Sequence, residues 1–419
     1  MAAEIASLDA QYALDIVKKV CAEVGPGLPG TSQERERAER IKKELETHLG
    51  ADKVVLEDFV LAPGAFLDSQ LISTLFMLIA VLLNISMGWS TSLPLRLTAT
   101  LALGFSLSAV LLFIFEFVFG FELVDRFFKK RESVNVIGTF RNAEPQKVKR
   151  LLILSGHHDS ALEFTWLRFT GYGFFILLAT WVISLLVVLV MSIIQLTGAV
   201  VGGEDLIRHG TLHWALLVYP LLPAMICAMF FTRGRKNGGI VPGAADNLSA
   251  CGLVVAMCRF LVQNPSRIPA DTEIRFITFG SEEAGVRGSR RYVQRHLEEL
   301  RRLDARLLNF ETIVHPEIVI LTSEVNGTVK NSPAMVNSLV AAAQRAGVPF
   351  RLQPAMLGTS NDAGRFSQAG LKAATLLGFN IQQMVTFYHQ ERDTPDILAV
   401  EPLLNVLRLA VEWVANGGE

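Results

Sequence analysis

The chain has 419 residues, enough for one large domain or two ordinary ones; 51% are hydrophobic, yet 39 are basic and 40 acidic. A mean hydropathy of +0.37 beside so many charges describes a water-facing part joined to segments of unbroken apolar sequence. The net charge of −1 offers no basic footprint and excludes nucleic acid as an expected partner.

In chain order, the opening MAAEIASLDAQYALDIVKKV lacks a charged stretch followed by an apolar one, which argues against a cleaved signal peptide. Residues 32–49, SQERERAERIKKELETHL, follow a Gly/Pro-rich lead and predict a charged amphipathic helix capped by Thr31 or Ser32. A β-rich stretch, Lys53–Val60, comes next. Four apolar runs stand out: Leu71–Trp89, Leu97–Phe121, Gly171–Leu196 and Trp214–Phe231. At about 1.5 Å rise per residue, each crosses or nearly crosses a hydrocarbon core of about 30 Å. Pro220 and Pro223 should kink the last run, which a membrane bundle tolerates.

The runs pair as two helical hairpins through the polar links Ser90–Arg96 and Thr197–His213. An even number of crossings returns the chain to one side. Residues 1–70, 122–170 and 232–419 then form one discontinuous soluble domain, with hairpins 71–121 and 171–231 inserted into it. Arg126, Lys129, Lys130, Arg131, Arg168, Arg233, Arg235 and Lys236 flank the spans on that side, against Arg96 and Arg208 on the other. The expectation is a multi-pass integral membrane protein, with the bilayer as a partner and the soluble domain in the cytoplasm. The alternative is that these basic residues bind lipid headgroups or belong to the folded domain.

Within the soluble segments Val134–Phe140, Leu151–Ser155, Glu273–Phe279, Arg306–Phe310 and Ile318–Leu321 read as strands, with Ala373–Leu377 as a shorter apolar run. Helical patterns lie near 247–264, 284–301, 333–346 and 399–415. The fold class is therefore α/β, a layered domain with a mostly buried sheet, plus the two transmembrane hairpins. Cys21, Cys227, Cys251 and Cys258 fit no metal-ligand spacing and read as reduced, buried thiols, which a reducing compartment permits.

Five segments place chemistry-bearing residues at strand ends or turns. LLILSGHHDS (151–160) runs a strand into His157; Asp159, two residues on, shares its side and is placed to accept the second ring N–H of a metal-binding histidine. His158 points the other way and reads as structural. In PGAADNLSACG (242–252) Asp246 opens a helix; its two oxygens suit it to bridging two cations, although an N-cap aspartate is the common alternative. IRFITFGSEEAGVRGSRRY (274–292) delivers Glu282 and Glu283 after a strand, one to ligate and one to move protons, or else both as partners of a helix macrodipole. LLNFET (307–312) ends in Glu311, and TFYHQERDTPD (386–396) carries His389 in a turn. His48, His209, His213, His296 and His315 read as structural or exposed.

In this order the segments resemble the zinc aminopeptidase and carboxypeptidase family M28. HHDS (157–160), GAADNLS (243–249), EEAGVRGS (282–289), NFE (309–311) and YH (388–389) carry the likeness, together with GTSQERERAERI (30–41). The resemblance implies a three-layer zinc-exopeptidase domain with a mixed sheet and two Zn2+. His157 and Glu311 would hold one ion, Glu283 and His389 the other, with Asp246 between them. Glu282 would be general base and then acid, Asp159 would orient His157, Asp362 in TSNDAGRF would support the site, and Tyr388 would reach substrate or oxyanion. Glu311 stands where the family usually has aspartate, and the hairpins are insertions, the second separating His157 from Asp246 by 89 positions.

The expected function is hydrolysis of peptide bonds, with an aminopeptidase preferred and short peptides as substrate. A carboxypeptidase would need a cation such as Arg287 or Arg365 aimed at the substrate carboxylate. Glutaminyl-cyclase-like acyl transfer and a silent membrane receptor or scaffold are the alternatives. A transporter finds few polar groups in the spans: Glu116, Asn84 and Gln195. Residue 171 follows Asp159 by twelve positions, which places the expected site near the bilayer surface. Oligomeric state is left open.

Overall fold

The structure, a computed structural model, describes residues 4–89, 94–142, 144–232 and 239–419. Most of the first expected link (90–93) and the flanking Arg233, Arg235 and Lys236 lie outside the described residues, as does the side chain of Arg208. The chain divides into two units: Met1–Pro63, Lys129–Glu163 and Gly238–Glu419 form one, Gly64–Phe128 and Phe164–Asn237 the other.

The first unit is built on strands β1 (Val54–Leu61), β2 (Arg131–Arg141), β3 (Arg150–His157), β4 (Thr272–Phe279), β5 (Arg306–Glu311), β6 (Ile318–Leu321), β7 (Ser323–Glu324), β8 (Val329–Lys330), β9 (Phe350–Gln353) and β10 (Lys372–Leu377). Eight make one mixed sheet in the order β1-β2-β4-β3-β5-β10-β6-β9, while β7 and β8 form a separate pair. The central quartet β4-β3-β5-β10 is parallel throughout. Every residue of β4 and β5 is buried, as a parallel sheet covered on both faces requires.

Alternation along β3 divides the core between two helical layers. Leu152 and Leu154 face the cluster that contains α1 (Ser7–Glu23), α2 (Ser32–Leu49) and the helices Ser249–Gln263, Pro333–Ala346 and Val400–Ala415. Leu151 and Ile153 face the cluster of Arg287–Arg302 and Asp362–Gln368. Thr31 caps α2, its hydroxyl accepting from the Glu34 N–H at 3.3 Å.

Several boundaries differ from the sequence expectation. The chain does not open a helix at Asp246: residues 244–248 form an irregular turn and the regular helix starts at Ser249. Glu282 and Glu283 precede their helix, which starts at Arg287, so neither lies in its first turn. The sequence missed α1 and the short helices Ile381–Phe387 and Asp362–Gln368.

The second unit contains Ala65–Ser86, Leu95–Leu112 with a wide turn through Val118, Gly173–Val201, Glu204–Val218 and Leu222–Met229. The segment Thr197–His213 is helical except at Gly202 and Gly203; the left-handed φ of +84° at Gly202 ends the helix there, so no long polar loop exists. Tyr219–Leu221 tightens into a 3-10 turn at Pro220, as a residue without an N–H demands. Leu82, Ile176, Leu186 and Leu216 stay exposed on the outer faces. Inside, Trp181 Nε1 donates to Thr74 Oγ1 and Asn84 Nδ2 to Ser192 Oγ, both at 2.9 Å, tying the helices together. Glu116 is buried and accepts from the Val124 N–H at 2.8 Å, a structural role.

Five stretches among the described residues are long and apolar enough to cross a membrane. Four belong to the second unit. The fifth, Ala244–Gln263, is 89% buried within the first unit and is a core helix. Its Gly252 sits against α1, where an added Cβ would meet the Ala13 carbonyl oxygen at 2.4 Å. Gly252→Ala should therefore lose about 1–3 kcal/mol by overpacking. Gly104→Ala, with open space at its Cβ, should not destabilise. Chemical unfolding of the purified variants checks both, and equal stability would contradict the packing.

Candidate metal centre

The parallel quartet brings four strand ends to one edge, where loops carry function in α/β sheets. His157 ends β3 opposite Phe279 at the end of β4, and Glu311 ends β5 opposite Leu377 at the end of β10. The chain beyond β4 turns through Ser281, held at φ +55°, and delivers Glu282 and Glu283. Gly243 turns at φ +68° so that Asp246 enters from the side; a Cβ there would meet the Asp246 carbonyl oxygen at 2.8 Å. The Asp246–Asn247 peptide is cis, and His389 adopts φ +47°.

Asp246 lies at the centre. Its Oδ1 is 3.3 Å from His157 Nε2 and its Oδ2 is 3.1 Å from His389 Nε2. Glu311 Oε1 stands 3.7 Å from His157 Nε2, and Glu283 Oε1 3.2 Å from His389 Nε2. Glu282 Oε2 is 3.9 Å from His157 Nε2. Two three-residue donor sets result, His157–Asp246–Glu311 and Asp246–Glu283–His389, sharing Asp246; His157–Glu282–Glu283 forms a third.

Asp159 faces His157 Nδ1 at 3.3 Å through Oδ1. The same carboxylate accepts from the backbone N–H groups of Glu282 at 3.0 Å and Glu283 at 2.9 Å. Asp362 is fully buried nearby, burial raising it to about 7 against the opposing charge of His157. The Tyr388 ring stacks on His389 with centroids 4.1 Å apart. His158 points into the core with Nδ1 3.2 Å from Thr278 Oγ1, and burial lowers it to about 4. The sequence-derived site residues thus come together.

Three side chains that support the site were not picked out from the sequence. Asp393 Oδ1 and Oδ2 accept from the N–H groups of Ala245 (2.6 Å) and Asp246 (3.1 Å). Glu34 and Arg37, both buried, reach the site's turns from α2. Only Asp393 carried a signal, as an acid four residues after His389.

Charge explains the titration pattern. Burial raises Glu282 well above the carboxylate range, opposed by His157 and reinforced by Glu283 and Asp362. Glu283 and Glu311 rise for the same first reason. Burial alone would lower His157 and His389, but the facing carboxylates more than reverse it, carrying His389 to about 10. The cluster therefore demands positive charge. Zinc bonds of about 2.0–2.1 Å give tetrahedral ligand-to-ligand edges of roughly 3.3–3.4 Å. The shared-carboxylate spacings of 3.1 and 3.3 Å lie just below and at that edge, and the imidazole-and-carboxylate donor set suits zinc.

A model of Peptidase family M28 matches residues 231–414. Aminopeptidase YwaD of Bacillus subtilis (strain 168) is 32% identical over 166 residues, 39% of this chain and 35% of that protein, so the chain matches about a third of that relative's length. The zinc aminopeptidase BSAP of Bacillus subtilis superposes over 97% of this chain and 95% of its own, with a TM-score of 0.53 and 16% identity. An aminopeptidase from Aneurinibacillus sp. strain AM-1 gives 0.53 at 14% identity over 97% and 95%. A Fimbriiglobus ruber glutaminyl cyclase gives 0.56 at 14% identity over 99% and 97%. At these identities the solved structures establish the fold alone.

Asp393→Asn should weaken divalent-metal affinity about 10- to 100-fold, because an amide donor replaces one of two acceptors holding the Asp246 turn. Chelator-competition titration measures it, and unchanged affinity would remove Asp393 from the site. Farther off, buried Glu324 accepts from Thr375 N–H and from the amides of Asn331 and Asn361. Burial lifts it to about 7. Its folded value exceeds its unfolded one, so its contribution is full below about 4.5 and is lost as pH rises through 7. Glu324→Gln should flatten that part of the stability–pH curve; parallel curves for variant and parent would refute this.

Proposed function

We propose that the protein is a membrane-embedded di-zinc metallopeptidase, an aminopeptidase acting on short peptides near the bilayer surface. The observation that carries this reading is Asp246, which meets both imidazoles with separate oxygens beside an adjacent pair of glutamates. His157 and Glu311 would hold one ion, Glu283 and His389 the other, and Asp246 both. Zinc bound there supplies Lewis acidity toward a peptide carbonyl and a water acidic enough to ionise near neutral pH.

The chain's own groups do the rest. Glu282 accepts the proton of the attacking water and returns it to the leaving amine, a task its raised pKa suits. Asp159 fixes the His157 ring and, through two N–H groups, the directions in which Glu282 and Glu283 point. Tyr388 braces His389 and remains the candidate for contact with substrate.

Arg287 donates to the Ala284 carbonyl and Arg365 to the Gly285 carbonyl, each at 3.0 Å. Those engagements favour aminopeptidase over carboxypeptidase. The complete ligand set favours hydrolysis over cyclisation or a silent receptor. Four long apolar stretches with exposed leucine and isoleucine support embedding in a bilayer. The basic residues from Arg126 to Arg131 and at Arg168, all at the ends of spans, support a cytoplasmic catalytic unit. The closeness in sequence of Asp159 and the apolar helix Gly173–Val201 is the ground for proposing that peptides reach the site along the headgroup layer.

The test is metal analysis of the purified protein with a panel of aminoacyl amides, N-blocked peptides and N-terminal glutamine peptides, with and without chelator. Chelator-sensitive release from free N-termini is expected, and its absence with pyroglutamate formation instead would overturn the assignment. Glu282→Gln should keep its metal and lose about 10²- to 10⁴-fold in turnover. Undiminished turnover would sink the base role.

A further inference from the structure

Helix α2 contributes no ligand to the metal centre, yet two of its side chains are almost wholly buried behind it: Glu34 and Arg37, one helical turn apart. Among the described residues no carboxylate forms a salt bridge with Arg37. Its guanidinium donates to three carbonyls: Nε to Gly25 (2.7 Å), Nη1 to His158 (3.1 Å) and Nη2 to Pro242 (2.6 Å). His158 lies between His157 and Asp159, and Pro242 opens the turn that presents Asp246. One planar fork therefore joins two ligand-bearing turns.

Glu34 secures the third. Its Oε1 accepts from the Ser281 hydroxyl at 2.7 Å, and its Oε2 from the Gly30 N–H at 2.6 Å. Ser281 is the positive-φ residue immediately before Glu282 and Glu283, and its hydroxyl also meets Ser133 at 2.9 Å. The loop before α2 adds a fourth fastening. Gly27 accepts from the Ser160 N–H and donates to the Ser160 hydroxyl, both at 2.9 Å. A Cβ at Gly27 would lie 2.9 Å from the Glu34 backbone, so only glycine lets the loop pass between α2 and the His157 turn.

We propose that Glu34 and Arg37 are positioning residues that set the mutual spacing of the three turns bearing His157, Asp246 and Glu283, and through them the affinity of the metal centre. This rests on the di-zinc reading above. A charge is buried here where a well-packed apolar side chain would stabilise a core at least as well. The directed fork is what an apolar residue lacks. Lysine, with donors on a single atom, reaches fewer of the three carbonyls.

The experiment compares the parent chain with Arg37→Met, Arg37→Lys, Glu34→Gln and, as a control on the exposed face of the same helix, Glu36→Gln. Three quantities are read for each: zinc affinity by chelator competition, the unfolding midpoint of the metal-free protein, and kcat and KM separately. Arg37→Met is expected to lose about 10- to 100-fold in zinc affinity, with kcat falling more than KM rises. Arg37→Lys should recover part of that loss, Glu34→Gln should lower kcat through Ser281, and Glu36→Gln should match the parent. A purely structural role would lower the metal-free midpoint while leaving zinc affinity and kcat of the folded variants within about two-fold, and that result overturns the proposal. Should Arg37→Met fail to fold, Arg37→Lys and Glu34→Gln decide by the same criteria. A parent protein that binds no zinc would instead defeat the di-zinc reading, which the parent titration reveals by itself.

Discussion

The structure is organised around a concentration of negative charge that it must hold together. Asp159, Asp246, Glu282, Glu283, Glu311, Asp362 and Asp393 are gathered with two imidazoles in the interior, away from bulk water. Two like charges 4 Å apart repel by about 4 kcal/mol at an effective dielectric of 20. Several such pairs would rival the whole stability of a domain. Cations must answer them, and protons and metal ions compete for the same lone pairs. The upward displacement of Glu282, Glu283, Glu311 and Asp393 expresses how strongly this interior holds protons when they are the only cations on offer.

That constraint explains a device used twice. Asp159 takes the N–H groups of Glu282 and Glu283, and Asp393 takes those of Ala245 and Asp246. In each case a buried carboxylate uses both oxygens to accept from consecutive peptide N–H groups of a turn that carries candidate ligands. The backbone thereby solvates the supporting acid and the acid fixes the turn, so the carboxylates of these turns face inward against their mutual repulsion. A regular helix start would leave those N–H groups aimed along its axis. The irregular turns at 244–248 and 281–286 are what release them sideways.

How much of this was legible depended on the reach of each interaction. Strands β3, β4 and β5 declare themselves because both faces are buried, which leaves continuous runs such as LLILS and IRFITF. The candidate ligands His157, Glu283 and Glu311 were legible because the residues that follow such runs lie at strand ends. Arg37 and Glu34 were not. Their partners lie 121, 205 and 247 positions away, and within α2 they look like two more charges on a charged helix. The link Thr197–His213 misled for the opposite reason: its polar residues resemble a loop, yet only Gly202 and Gly203 interrupt the helix. Apolar composition was ambiguous too, since Ala244–Gln263 passes the same length and hydropathy test as the outer helices and differs only in what surrounds it.

Glu311 shows how the site takes up a departure from the pattern it resembles. A glutamate in place of aspartate carries one more rotatable bond, whose ordering costs side-chain entropy. The fold restrains it with two hydrogen bonds: Asn247 Nδ2 donates to Oε2 at 3.1 Å and the Thr312 hydroxyl to Oε1 at 2.9 Å. Asn247 also accepts from the Thr312 N–H, so the residue after Asp246 and the residue after Glu311 are locked to each other. The two donor sets nevertheless differ. Asp246, Glu283 and His389 stand 3.1 and 3.2 Å apart, whereas the His157 set spans 3.3 and 3.7 Å. A longer edge suits a less rigid coordination shell, and metal selectivity follows geometry as much as ligand type. The asymmetry lies in this chain's own residues: the donor set that contains Glu311 is the more widely spaced of the two.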